Sequence, residues 1–333
     1  MLSPVKIHLG KFKGPLNNNW HIIGYDANAL SAGARHWAAL SAHNSVPEYY
    51  DYAAQLGIGT PPGGIKILLT NWRLQGPRGA TPMYAKRYIQ ELPETFITFN
   101  LISVFPGGGP AISQWVFVLK GQIDVTLGYN SYNRFGRDVT ATSDEIGEVA
   151  FHELTHAAHY NKVGQVWYKE FVDAEINQTA FSSNPPYGLG NTGTKSEIIA
   201  LGESWAYHMG HFLSDRKYAL NSSDAFAQRN RYQNNLPLSG FSSHINLLED
   251  FDPINRTADP DRWIPIGLYY DLFDNRNENN PIVDGVTGYT NQQFFNSLDS
   301  DVKSLPQYRV RLLQENANNQ SVQVTNLFSQ YGY

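Results

Sequence analysis

The sequence predicts an α+β fold, with N-terminal helices and a small mixed sheet followed by a mainly helical C-terminal lobe. Three observations lead to this prediction. Apolar residues recur at helical spacing over residues 28–56, and short apolar runs bounded by Gly/Pro turns are typical of strands between residues 65 and 129. Helical periodicity dominates after Thr142. We therefore expect two lobes of one unit, an N-terminal lobe over 1–142 and a C-terminal lobe over 143–333.

The N-terminal lobe begins with helical periodicity that is interrupted near Asn44–Pro47. A proline inside a helical pattern commonly ends or kinks the helix, so we expect two helices within 28–56. Apolar and β-branched runs between turns then predict four strands. These strands are expected at Ile65–Thr70, Thr95–Phe99, Gln114–Leu119 and Ile123–Tyr129.

The C-terminal lobe opens with Thr142 and Glu145, which have the spacing of a capping box and predict the start of a helix that continues through Tyr160. A second box, Thr194 with Glu197, predicts a helix over 194–217. Apolar spacing predicts further helices at 263–274, 290–302 and 306–316.

Composition narrows the classes of function. A net charge of −5 with scattered basic residues gives no electrostatic reason to expect nucleic acid as a partner. No window approaches the roughly 20 apolar residues of a membrane-spanning helix, so no membrane span is expected. The chain has no cysteine, which excludes disulfides and thiolate ligands. Any metal ion must therefore be held by His, Asp or Glu.

Compartment is indicated only by composition. Charged residues make up 17% of the chain, 20 residues are tyrosine, and several loops are rich in Asn and Gly. This composition favours an exported protein, whether extracellular, periplasmic or surface-associated. Any signal segment is then expected to be absent from this chain, because its N-terminus lacks a charged-then-apolar pattern.

The motif with the clearest chemistry is His152-Glu153-Leu154-Thr155-His156. Residues four apart on a helix lie on one face, so the two imidazoles can converge on one zinc ion at ~2.0–2.1 Å. Glu153 lies ~100° around the helix from His152, where it can reach a water beside the metal without displacing it. This is the position of a general base in a zinc hydrolase.

The run from His152 to Ala158 resembles the active helix of the thermolysin-like and related gluzincin metallopeptidases. The resemblance is specific over about 142–210 and implies a zincin-like fold, one zinc ion and hydrolysis of a peptide or protein. The metzincin extension of the motif fails, because position 162 is Lys. His159 lies ~10.5 Å along the axis from His152, too far to share its metal. We expect it either to support a metal ligand from behind or to pack in the core, and packing is favoured.

The same resemblance implies a third zinc ligand, a glutamate on a later helix. Glu203, in Gly202-Glu203-Ser204-Trp205-Ala206, is similar to the Glu-Gly-Phe-Ala of aminopeptidase-type gluzincins and is the expected ligand. Glu175 is the alternative, because its spacing after His156 is closer to the usual one. Asp173 and Glu197 are less suited. Thermolysin-like enzymes carry an Asp four residues after the ligand, whereas position 207 here is Tyr.

Hydrolysis of an amide develops negative charge on the carbonyl oxygen, which a nearby donor can stabilise. The resemblance places such a tyrosine near Tyr269, which we expect to be catalytic together with Glu153. Tyr270 and three histidines are competing donors. These histidines are His208, His211 and His244.

Two other classes of function stay open. A zincin-like scaffold could serve as a non-catalytic binding protein, with its many Tyr and Trp residues suited to glycans. The segment Gly202–Ala206 also resembles the nucleophile elbow of serine esterases, with Ser204 as the nucleophile. That elbow needs a strand before the serine, whereas the residues before Ser204 are predicted to be helical.

Overall fold

The computed structural model describes residues 28, 30–73, 124–132, 138–180, 195–218, 248, 263–275 and 282–333. Within these residues the chain is helix-rich with one three-stranded sheet, as expected for an α+β fold. The elements are α1 (Ala32–Leu56), β1 (Ile67–Arg73), β2 (Val125–Tyr132), β3 (Asp138–Thr140), α2 (Ser143–Ala180), α3 (Ser196–Tyr218), α4 (Leu268–Phe273), α5 (Asn291–Asn296), α6 (Leu305–Glu315) and α7 (Ser321–Gln330). The strands predicted at 95–99 and 114–119 lie outside the described residues.

The sheet is mixed and has the order β1-β2-β3. Strand β1 pairs with β2 in parallel, with Ile67 opposite Val125, and β3 pairs with β2 in the antiparallel direction, with Thr140 opposite Asn130. The predicted strands at 65–70 and 123–129 correspond to β1 and β2. Strand β3 leads through a two-residue connection into α2, so the sheet fixes where α2 begins.

Helix α1 corrects one prediction, because it runs unbroken through Pro47 instead of forming two helices. Pro47 is exposed, and so is His43, whose carbonyl would otherwise accept a hydrogen bond from the residue at position 47. Water can satisfy that carbonyl, so the proline costs less than it would on a buried face. The opposite face of α1 is buried along its length, from Ala34 to Ala53, and this packing holds the helix together.

Helix α2 begins where the capping box predicts, with the backbone N–H of Thr142 donating to Glu145 Oε2 at 2.9 Å. It continues well past Tyr160 and is interrupted at Gly164, whose φ of 79° and ψ of −178° are not helical. This backbone conformation is essentially restricted to glycine. Gly164 thus divides α2 into a first segment, 143–163, and a second segment, 165–180.

Two hydrophobic clusters meet along α2. The smaller cluster joins the sheet and the start of α1 to Ile146 and Ala150 at the start of α2. The larger cluster gathers the remainder of α2 with α3 and the C-terminal helices. Residues 151–158 of α2 therefore lie deep in the protein. In the part of the chain that the structure describes, no helix combines the length and apolarity needed to cross a membrane.

The C-terminal helices hold the interruption in α2 in place. Just before Gly164, the ammonium group of Lys162 donates to the carbonyl of Phe295, at the end of α5, over 2.7 Å. Just after it, the indole N–H of Trp167 donates to the carbonyl of Val302 at 2.7 Å. The predicted helices at 263–274 and 290–302 are shorter than expected, and α7 was not predicted. A short helix that gains its stability from packing leaves a weak sequence signal.

Substitution of Gly164 by Ala should lower the free energy of unfolding by about 1–3 kcal/mol, because the backbone conformation there is strained for any residue with a Cβ. Urea unfolding measures the change. Gly63→Ala is the matched control, since its added methyl group meets no atom within 4 Å and its φ is not positive. Equal stability of Gly164→Ala and the wild type would show that the interruption is not fixed by glycine.

Candidate metal centre

The first segment of α2 presents a row of polar side chains to α3. His152 and His156 lie one turn apart, with 7% and 4% of their surfaces exposed, although they carry polar nitrogens. Glu145 and Glu148 continue the same row toward the start of α2 and are also buried. Buried polar groups of this kind are costly unless they are paired or hold a cation. The row therefore marks the face of α2 on which a site is built.

Helix α3 brings Glu203 to these histidines through close contact with α2. A Cβ atom at Gly202 would lie 2.7 Å from the ring of Phe171, and one at Gly210 would lie 3.1 Å from His152 Cβ. Both contacts are closer than side-chain carbons normally allow, so larger residues would push the helices apart. The two glycines flank Glu203 along α3 and let its short carboxylate reach across the interface.

The three side chains converge on one point. His152 Nε2 and His156 Nε2 are 3.1 Å apart. Glu203 Oε2 lies 3.3 Å from His152 Nε2, and Glu203 Oε1 lies 3.0 Å from His156 Nε2. Among the described residues these three form the one group of His, Cys, Asp or Glu whose ligand atoms are this close together, and the group could hold a metal ion. We call it the triad.

The charge balance of the triad favours a cation. Burial alone would raise the pKa of Glu203, but the neighbouring His156 and His152 hold it well below its usual range. Glu203 is therefore a carboxylate that depends on positive charge from its neighbours. A metal ion supplies that charge while leaving both imidazoles neutral, which is the form that binds metals.

Further carboxyl groups surround the triad. Glu153 is 2% exposed, and its Oε2 atom has no hydrogen-bond partner. Glu175, from the second segment of α2, hydrogen-bonds to Glu203. Desolvation and the carboxylates of Glu203 and Glu153 raise the pKa of Glu175 well above its usual range. Burial raises the pKa of Tyr168 well above its usual range, and the nearby carboxylates of Glu175, Glu153 and Glu203 raise it further.

The remaining sequence candidates for ligands lie elsewhere. His159 is buried against Trp167, with ring centroids 4.3 Å apart, as its predicted packing role requires. Burial, with His156 and Lys162 nearby, lowers the pKa of His159 to about 3. Asp173 pairs with Lys169 on the same helix, and Glu197 is exposed.

Tyr269 lies on the other side of α3. Its ring is 5.3 Å from that of Trp205, which is about 200° around the helix from Glu203. Tyr269 is fully buried, and burial raises its pKa, offset in part by the hydroxyls of Ser204 and Tyr308. Its contacts do not reach the triad, so its catalytic role stays a prediction based on resemblance.

The structure also shows the positions of other residues that the sequence offers as candidates. His208 shares the Trp205 side of α3 and donates from Nε2 to Asn291 Oδ1 at 2.9 Å. Ser204 is buried in the middle of α3 and donates to the carbonyl of Leu201, so no strand precedes it, contrary to what an esterase elbow requires. Tyr270 is half-buried in α4, and His244 lies outside the described residues.

Tyr207 is a neighbour of the triad for which the sequence predicts no role. Tyr207 lies one turn after Glu203, and its ring meets the ring of His152 edge to face with centroids 4.6 Å apart. Tyr207 is half-buried, unlike the triad itself. Its spacing of four residues from Glu203 was the available signal, because such residues share one face of a helix.

Comparison of the chain with protein-family models, with curated proteins and with solved structures finds no match. Any proposal about function therefore rests on the arrangement of the triad and its neighbours and on the sequence motif that contains them.

Removal of the Glu203 carboxylate should weaken metal binding by more than about 100-fold, because loss of a ligand exceeds the 10–100-fold effect of losing a supporting residue. Competition with a chromophoric chelator measures the affinity of wild type and Glu203→Ala. Glu197→Ala on the same helix is the matched control, since Glu197 is exposed. Glu175→Ala should weaken binding by ~10–100-fold and keep one metal ion per chain. A normal affinity in Glu203→Ala would show that Glu203 is not a ligand.

Acidification should destabilise the protein partly through His208. Burial lowers the pKa of His208 from 6.5 to about 4. Between pH 6.5 and 4, His208 is protonated in the unfolded chain and neutral in the folded protein. The free energy of unfolding therefore falls as the pH falls from 6.5 toward 4. Between pH 7 and 4, the free energy of unfolding of wild type should fall about 3 kcal/mol further than that of His208→Gln.

The measurement is urea unfolding at a series of pH values on metal-free protein. The exposed His36 provides the control, and His36→Gln should follow the wild-type profile. Parallel profiles for wild type and His208→Gln would contradict the assignment of a neutral, buried His208.

Proposed function

We propose that the protein is a zinc-dependent hydrolase, and that it is a peptidase of the gluzincin type with a zincin-like fold. The observation that carries this proposal is the convergence of His152, His156 and Glu203, with Glu153 buried beside them. Two histidines from one helix and a glutamate from a later helix are the donor set that the resemblance in the sequence implies.

Zinc fits the donor set and its spacing. Imidazole nitrogens and a carboxylate oxygen are ordinary zinc ligands in catalytic sites, which use three protein ligands and keep one position open. Ligand atoms ~2.0–2.1 Å from a common tetrahedral centre are roughly 3.3 Å from one another. The two imidazole nitrogens of the triad are 3.1 Å apart, and each lies 3.0–3.3 Å from one of the two oxygens of Glu203, so these separations are close to those of a tetrahedral zinc site. A zinc ion supplies Lewis-acid activation of water at neutral pH.

Glu153 is the residue proposed to move protons. Its position in the sequence, next to His152, directs its side chain away from the ligand set. The carboxylates of Glu153 and Glu203 both raise the pKa of Glu175, so both act on the same carboxyl group. The Oε2 atom of Glu153 is buried and has no hydrogen-bond partner among the residues that the structure describes, so it is free to accept a hydrogen bond from a water molecule or a substrate. Glu153 would accept a proton from the attacking water and deliver it to the leaving amine, so that it acts first as a base and then as an acid.

The peptide bond is proposed as the substrate because the sequence resemblance over 142–210 is to peptidases. The binding alternative, a zincin-like scaffold without hydrolytic activity, gains less support, since such a protein has no need for a buried, unpaired Glu153. The esterase alternative is disfavoured by the position of Ser204 within α3. The two alternatives and the proposal predict different effects of a chelator and of single substitutions on peptide hydrolysis.

The test is hydrolysis of a mixed peptide library by the zinc-loaded protein, followed by mass spectrometry of the products. Glu153→Gln should lose activity by about 10²–10⁴-fold, because it removes the proton acceptor, and should still bind one zinc ion. Ser204→Ala should keep wild-type activity, and a chelator should abolish it.

Each alternative predicts a different pattern. Bound zinc without hydrolysis of any peptide would favour the binding protein. Activity that survives chelation and is lost in Ser204→Ala would favour the esterase. Equal activity of Glu153→Gln and wild type would contradict the role proposed for Glu153.

A further inference from the structure

A row of three side chains runs beside the triad at the interface of α2 and α3. It starts with Tyr207, whose ring meets the ring of His152 edge to face. The ring of His211, one turn further along α3, lies parallel to that of Tyr207 with centroids 6.4 Å apart. His211 Nδ1 in turn lies 3.8 Å from Glu148 Oε2 on α2, one turn before His152. We call Tyr207, His211 and Glu148 the supporting row.

The supporting row connects His152 to Glu148, one turn earlier on α2, by way of two residues of α3. His211 and Glu148 are both buried, with 1% and 7% of their surfaces exposed. Between them, a Cβ atom at Gly210 would lie 3.1 Å from His152 Cβ and 3.2 Å from the carbonyl oxygen of Glu148. The helices therefore touch through their backbones here, and the row has little freedom to shift against His152.

A metal-binding histidine needs its ring held in one orientation. Hydrogen-bonding partners of the ring commonly do this, and their removal typically weakens metal binding by 10–100-fold. A packed aromatic ring can restrict the same rotation with a smaller effect on affinity. His152 directs Nε2 toward Glu203. Tyr207 contacts the same ring from the half-exposed side of the site. In an edge-to-face contact the positive edge of one ring meets the negative face of the other, which favours a defined mutual orientation.

We propose that Tyr207 is a positioning residue that holds the imidazole of His152 in the orientation needed to bind the metal ion. His211 and Glu148 support the Tyr207 ring from behind. The proposal rests on the metal site of the proposed function and deepens it. It assigns the effect to the aromatic ring of Tyr207, because the observed contact is between rings.

The test compares metal binding in three variants of Tyr207. Tyr207→Phe keeps the ring and removes the hydroxyl, whereas Tyr207→Leu and Tyr207→Gln remove the ring. Because position 207 is half-exposed, either an apolar or a polar side chain should be tolerated. Phe212→Leu is the matched control, since Phe212 is a half-buried aromatic residue of the same helix that contacts His208 and Phe273 instead of His152.

Zinc affinity is measured by competition with a chelator, and the geometry of the site by the visible absorption spectrum of the cobalt(II)-loaded protein. Tyr207→Phe and Phe212→Leu should bind zinc within about threefold of wild type and keep the cobalt spectrum. Tyr207→Leu and Tyr207→Gln should bind zinc more than about threefold and up to about 10-fold more weakly, the size of effect expected for loss of an aromatic contact, and should change the cobalt spectrum. Circular dichroism confirms that each variant is folded.

Three results would overturn the proposal. In the first, Tyr207→Leu or Tyr207→Gln binds zinc like wild type with the same cobalt spectrum. In the second, Tyr207→Phe loses as much affinity as the variants without a ring, which would assign the effect to the hydroxyl. In the third, Phe212→Leu loses as much zinc affinity as Tyr207→Leu, which would make the loss a general effect of removing an aromatic ring from α3.

The outcome for Tyr207 is separable from that for the proposed function, because neither metal readout requires hydrolysis. If the variants behave as expected and the wild type cleaves no peptide, the positioning role stands and the hydrolase proposal fails. A wild type that binds no metal ion overturns both.

Discussion

In the interior of the protein, two imidazole nitrogens of α2 lie 3.1 Å apart, and each lies 3.0–3.3 Å from an oxygen of the Glu203 carboxylate on α3. This concentration of polar groups constrains the structure around it. The pKa of Glu203 is kept low by two imidazoles, and Glu175 shares a hydrogen bond with the same carboxylate. Such a group is expensive to bury without a cation and becomes favourable when one is bound. Metal binding and correct packing of α2 against α3 are therefore expected to depend on each other.

The remainder of the fold holds these two helices in place. The sheet sets the start of α2, and Gly202 and Gly210 let α3 approach it closely. The interruption at Gly164 turns the second segment of α2 so that Phe171 and Glu175 reach the triad, as their contacts with His156 and Glu203 indicate. The C-terminal helices secure this interruption from both sides. A local backbone feature thus determines which carboxyl groups surround the triad.

Much of this arrangement could be predicted from sequence where the signal is local. Helical spacing of four residues places His152 and His156 on one face, and the box at Thr142 marks the start of their helix. The role of Glu203 as a metal ligand is predicted from the resemblance of its surrounding sequence to a known motif and not from local spacing. The continuity of α1 through Pro47 could not be predicted, because it depends on which face of the helix meets water. The contact of Tyr207 with His152 is a tertiary contact that depends on the close approach of the helices at Gly210. The position of Tyr269 on the other side of α3 is also set by tertiary packing.

The most direct test of the metal site is a crystal structure of zinc-loaded protein with anomalous diffraction measured on both sides of the zinc absorption edge. If the triad binds zinc, a single zinc peak is expected ~2.0–2.2 Å from Nε2 of His152, Nε2 of His156 and a carboxylate oxygen of Glu203. A zinc peak on other residues would contradict this assignment. So would electron density showing the three side chains hydrogen-bonded to one another, without a metal ion, in crystals grown with excess zinc.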